Sequence, residues 1–86
     1  MTRMIAIARI DRSKQRDNWI AEHNAEFGQY ATVDGAFDHP EDKNQMAVVM
    51  NVTDLDGLRA ISRTPDGDAF MRERGFVEQL DYFLEA

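Results

Sequence analysis

Residues 44–61, NQMAVVMNVTDLDGLRAI, place two hydrophobic periodicities back to back, and that junction decides the fold. Across residues 46–52 nearly every side chain is apolar, and Val48, Val49 and Val52 are β-branched. A short run of this kind is a strand covered on both faces. The period then changes. Thr53 and Asp56 stand in the S/T-x-x-D/E spacing of a capping box, in which the hydroxyl accepts a backbone N–H and the carboxylate reaches back. Leu55, Leu58 and Ile61 follow at three-residue intervals, so the helix carries an apolar face that packs over the strand it has just left.

Upstream, residues 4–10, MIAIARI, are apolar at every position but Arg9 and read as another strand buried on both sides. Asp11 or Ser13 supplies an N-cap, and Trp19, Ile20, His23 and Phe27 form the stripe of an amphipathic helix. Gly28 suits its end, where a left-handed residue is common. Residues 30–37, YATVDGAF, return as a strand in which Gly35 marks a bulge, and the polar run 38–44, DHPEDKN, is a hairpin loop. Downstream, Thr64-Pro65 breaks the helical pattern: Thr64 caps a second helical piece that stops at Gly75. Residues 76–84, FVEQLDYFL, supply the last strand.

The element order is βαββαβ, the split βαβ arrangement of ferredoxin-like α+β folds. It predicts one domain over residues 1–86, a four-stranded antiparallel sheet with the first and third strands central, and the helices on one face. The central strands are apolar on both faces, however. Met46, Val48, Met50 and Val52 oppose Ala47 and Val49, and Ile5 and Ile7 oppose Met4, Ala6, Ala8 and Ile10. Helices on one side leave on the order of 300 Å² of sheet uncovered. A soluble chain seldom leaves such a patch wet, so the pattern predicts a homodimer packed sheet against sheet.

A formal charge of -6, from 16 acidic and 10 basic residues, disfavours nucleic acid and anionic membrane surfaces as partners. With no cysteine, disulfides, thiolate metal sites and cysteine nucleophiles are excluded, and a reducing, cytoplasmic setting is expected. The N-terminal apolar run stops at Arg9, short of a secretory core, and no stretch approaches the ~20 apolar residues of a membrane span.

Several stretches together resemble the dimeric α+β barrel superfamily, in particular its small antibiotic-biosynthesis-monooxygenase-like members. They are Trp19 and His23 on the first helix, HPEDKNQMAVV leading into the third strand, TDLDGLRAI after it, TPDGDAFMRERGF before the last strand, and the terminal YFLEA. The resemblance implies a dimer whose sheets form a shared barrel, with a small-molecule pocket in each chain between sheet and helices. Its characterised members include cofactor-free oxygenases of aromatic polyketides, haem-degrading enzymes, isomerases, and decarboxylating or cyclising enzymes. The haem-degrading pattern in that superfamily has a first-strand asparagine, a tryptophan deep in the pocket and a second-helix histidine. This chain has no Asn in the first strand and neither His nor Trp across residues 53–75, which disfavours that branch.

His23, on the stripe between Trp19 and Phe27, suits a general base or a donor to a ligand oxygen, or else a buried histidine bonded to a backbone carbonyl. Asn51 offers an amide to orient a substrate oxygen or to bond across strands, and Arg9 a guanidinium for a carboxylate or phenolate or for a surface ion pair. Trp19 and Tyr82 read as pocket walls or as core and dimer packing. Asp38, His39, Glu41 and Asp42 have metal-ligand types without ligand spacing, so no metal and no cofactor is expected. Arg72 and Arg74 suit the end of the last helix without a ligand. Two functions follow as expectations. One is a cofactor-independent oxygenase- or isomerase-like enzyme for a small apolar or aromatic compound, with His23 as base. The other is a non-catalytic ligand-binding or structural homodimer.

Overall fold

A computed structural model describes residues 2–86. The elements are β1 (Thr2–Ile10), α1 (Trp19–Phe27), β2 (Ala31–Asp38), β3 (Gln45–Val52), α2 (Leu55–Ser62), α3 (Pro65–Glu73) and β4 (Phe76–Leu84). They build a small α+β fold around one four-stranded antiparallel sheet of order β2-β3-β1-β4. The two most apolar strands are the central pair, with Ile5 opposite Val49 and Ile7 opposite Ala47. The β2–β3 register shifts between Val33 and Gly35, the bulge that Gly35 signals.

Strand alternation divides the side chains between two faces. Met4, Ala8, Ile10, Met46, Val48, Met50 and Val52 are buried, and Trp19, Phe27, Leu58 and Phe76 join them in the core cluster. Phe27 meets Phe70 edge-on at 5.3 Å, and Trp19 meets Phe76 at 5.0 Å, so α1, α3 and β4 interlock over this face. On the other face Ile5, Phe37 and Phe83 stand 43%, 65% and 58% exposed.

The helix boundaries depart from the sequence reading in physically informative ways. Asp54, not Thr53, caps α2, its carboxylate accepting the Gly57 N–H at 2.9 Å. The Thr53 hydroxyl is taken instead by the Gln29 and Tyr30 carbonyls, which tie the strand end to the α1–β2 turn. Neither Asp11 nor Ser13 caps α1. The Ser13 hydroxyl and N–H both donate to the Asp11 carboxylate, making a closed turn that holds this carboxyl below its ordinary pKa. α1 starts only at Trp19, after Asn18, whose side chain makes no cap bond. Gly28 ends α1 in a right-handed conformation, φ -58°.

The expected break at Thr64-Pro65 is present as two helices. Thr64 Oγ1 accepts the Gly67 N–H at 3.1 Å and Pro65 opens the first turn of α3. Gly75, at φ 88°, ends that helical region in the left-handed conformation. A Cβ there would stand 2.6 Å from the Asp11 carbonyl oxygen, and the Gly75 carbonyl accepts the Asp11 N–H at 2.7 Å. The chain thus leaves β1 and enters β4 through one close backbone contact. None of the described helices is long and apolar enough to cross a membrane.

Candidate functional site

Between the helices and the sheet lies a cavity of about 210 Å³. Its floor is the helix-facing side of the sheet, with Met4, Ala6, Ala8, Val48 and Met50. Trp19, His23 and Phe27 form one wall because residues four apart on α1 stack on one side of the helix. Leu58 and Met71 close the cavity from α2 and α3. The exposed residues Ser62, Asp68, Glu78 and Gln79 form its rim. Consecutive β4 residues 77–79 reach it because the β1–β4 register shifts twice, between Ile7 and Ala8 and between Arg9 and Ile10.

His23 is the one imidazole on this wall and is 4% exposed. Its Nδ1 lies 3.2 Å from Asn24 Oδ1. That oxygen accepts the Val33 N–H at 2.8 Å, while Asn24 Nδ2 donates to the Val33 carbonyl at 3.3 Å. The two backbone bonds fix which end of the amide is oxygen, so Nδ1 must carry the hydrogen and donate it. In the neutral ring Nε2 then keeps its lone pair. Among the described residues, only Glu22 Oε1 and Arg74 Nε are side-chain polar atoms both sealed and unpaired. His23 Nε2 also has no hydrogen-bond partner there, so it is not sealed, and His23 is one of the residues that line the cavity. Burial lowers the His23 pKa below its ordinary value, and the bond to Asn24 opposes this only in part. The result is a neutral imidazole with a fixed tautomer and a free acceptor nitrogen.

The remaining candidates separate. Trp19 lines the cavity and is buried against Phe76. Tyr82 pairs with Ala6 in the sheet register, but its hydroxyl accepts from Arg59 Nη2 at 2.7 Å and the guanidinium lies over its ring. Arg9 and Asn51 stand in register with Gln45 and Arg3, on the face away from the helices. Arg9 Nε donates to Glu78 Oε1 at 2.9 Å, and Asn51 Nδ2 donates to Asp34 Oδ2. The structure therefore brings His23 and Trp19 together and leaves Arg9, Asn51 and Tyr82 outside the cavity lining.

The loop before β3 is folded on itself, with the His39 Nδ1 accepting the N–H groups of Glu41 and Asp42 at 3.0 and 2.9 Å. Among the described residues no group of three or more His, Cys, Asp or Glu could hold a metal. Sequence reasoning missed Asn24, whose partner Val33 is nine residues on, across a turn. It also missed the rim residues Ser62, Asp68 and Gln79, which come together only through the β4 register shifts and the α2–α3 break. Arg74, read as a helix-end cation, is 7% exposed and joined to Glu22 of α1. Comparison with protein-family models, with curated proteins and with solved structures gives no match for this chain.

Proposed function

We propose that this chain is a small-molecule-pocket protein whose cavity performs cofactor-independent proton-transfer chemistry, oxygenase- or isomerase-like, on a small and largely apolar compound. The observation that carries this reading is the His23 imidazole: buried, neutral, fixed in one tautomer, unpaired at Nε2 and on the wall of an apolar cavity. A nitrogen so placed takes a proton from a substrate O–H, or from a C–H made acidic by an adjacent carbonyl, without first shedding water. In an isomerisation the same nitrogen returns the proton to a different carbon.

The proposal extends to the assembly. The central β1–β3 pair and the strand order support a ferredoxin-like fold, and the exposed Ile5, Phe37 and Phe83 support a homodimer closed sheet on sheet into an α+β barrel. Such a dimer leaves the cavity on its outer side, with one site per chain.

The experiment is native purification of the wild type and of His23→Ala, followed by mass spectrometry of the small molecules each retains. A compound held by the variant and returned chemically altered by the wild type supports catalysis. The same unaltered compound released by both proteins reduces the cavity to ligand capture and overturns the catalytic reading.

A further inference from the structure

Two polar atoms of the α1 wall are left unpaired, and they are of opposite kinds. The Trp19 indole can only donate, and His23 Nε2, in the tautomer that Asn24 imposes, can only accept. Neither atom has a hydrogen-bond partner among the described residues and neither is sealed, although the two residues are only 7% and 4% exposed. Aromatic neighbours hold both rings, Phe76 against Trp19 and Phe27 against His23, each at 5.0 Å. Residues four apart share one helix face, one turn or about 6 Å along the axis. Two hydrogen bonds of about 2.9 Å that meet at one oxygen cover the same span.

The rest of the lining does not select by charge. Asp68 is paired with Arg72, and Glu78 is paired with Arg9 on the far face of the sheet. The Ser62 hydroxyl gives its hydrogen to the Arg59 carbonyl, while the Gln79 amide, opposite Ala8 in the register, offers a donor and an acceptor together. Size narrows the ligand further. An apolar cavity of about 150 Å³ takes benzene. At about 210 Å³ this one has room for a single ring with short substituents.

Resting on the pocket reading above, we infer that Trp19 is a second functional group of the cavity: its indole N–H holds the hydroxyl oxygen of a one-ring phenol or enol whose hydrogen is donated to His23 Nε2. A hydroxyl accepts from the indole and donates to the imidazole through a single atom, whereas an ether only accepts and a hydrocarbon does neither. On proton transfer the O–H bond breaks, its electron pair stays on the oxygen, and the proton forms the Nε2–H bond of an imidazolium. The indole bond strengthens as negative charge develops on that oxygen. Oxyanion and imidazolium stand together, so the cavity gains no net charge.

Three one-ring probes test this by NMR titration near pH 7, followed at the methyl groups of Met4, Met50 and Met71 in the cavity lining: 4-methylphenol, 4-methylanisole and 4-ethyltoluene. In the wild type the phenol is expected to bind about tenfold more tightly than the ether, and the ether about threefold more tightly than the hydrocarbon. Trp19→Phe keeps an aromatic ring and loses the N–H, so the margin of ether over hydrocarbon should vanish while that of phenol over ether remains. His23→Leu should do the reverse. Absence of either margin in the wild type, or a Trp19→Phe variant that weakens all three probes in equal proportion, overturns the inference and leaves the pocket reading standing. If none of the three binds the wild type, the pocket reading itself falls and takes the inference with it.

Discussion

Asn24 completes the free edge of β2 and, with the same amide oxygen, sets the tautomer of His23. Its side chain pairs with both the N–H and the C=O of Val33, as a neighbouring strand would, and its Oδ1 faces His23 Nδ1 at 3.2 Å. An edge strand otherwise presents such groups to water or to another chain.

Asn24→Ala therefore removes a tether and an orienting group in one step. The expected loss of stability is about 1–3 kcal/mol, because the Val33 groups and the buried Nδ1–H lose their partner together. Urea unfolding measures that loss. Nitrogen NMR of the imidazole should show a single tautomer in the wild type and a mixture in the variant. A variant that keeps one tautomer would mean that packing, rather than the amide, orients the ring.

The lowered His23 pKa makes stability depend on pH. The unfolded chain holds a proton on this ring up to about pH 6.5, its ordinary value, while the folded chain has already released it. Between the two pKa values the unfolded state binds more protons, so stability rises with pH. The full contribution is present above about pH 6.5 and is lost as pH falls toward the lowered folded value. Urea midpoints measured at intervals from pH 7.5 downward should fall across that window in the wild type. In His23→Gln the His23 share of the slope should vanish. An unchanged slope would assign the dependence to other groups.

How much of this was readable in the sequence follows from the range of the interactions. The β3–α2 junction was legible because strand and helix periods are local signals, and Thr64-Pro65 and Gly75 were legible because each acts within its own turn. Thr53 was misassigned because a tertiary partner, the Tyr30 carbonyl, claimed its hydroxyl. His23 and Trp19 were found because the helical stripe that buries them also points them at the cavity. Strand parity in the sequence already sets Arg9 and Asn51 on the face of Ile5 and Val49, and the register keeps them there, on the side of the sheet away from the cavity. Asn24 matters only through contacts that the chain makes after folding, and no spacing announces it.

The Arg74 side chain was missed for the same reason, and it carries a separate expectation. Its guanidinium lies 3.4 Å from the centroid of the Phe70 ring, donates to the Phe70 carbonyl at 3.0 Å and reaches Glu22 Oε2 at 3.1 Å, joining α3 to α1. Arg16 shares the same Glu22 oxygen at 3.0 Å and moderates what the carboxylate loses when Arg74 is removed. Arg74→Ala should cost about 2–4 kcal/mol. Arg74→Lys should recover less than half, because an ammonium neither stacks on the ring nor spans both acceptors. A lysine variant as stable as the wild type would show that charge alone holds the helices together.

The bare sheet face gives the last expectation. Ile5 sits at its centre, paired with Val49 on one side and Phe83 on the other, while the polar side chains of Arg3 and Asn51 mark one end and those of Arg9 and Gln45 the other. An apolar centre with a polar border is the composition of a protein interface, and a two-fold axis near Ile5 would bring that residue close to its own copy. Ile5→Lys then places two like charges together in a desolvated contact, which costs several kcal/mol. The same lysine in a monomer faces water and costs little, since Ile5 is already 43% exposed. Sedimentation at micromolar concentration should give a dimer of the 9.9 kDa chain for the wild type and a folded monomer for the variant. A wild type that sediments as a monomer would remove the sheet face from the assembly.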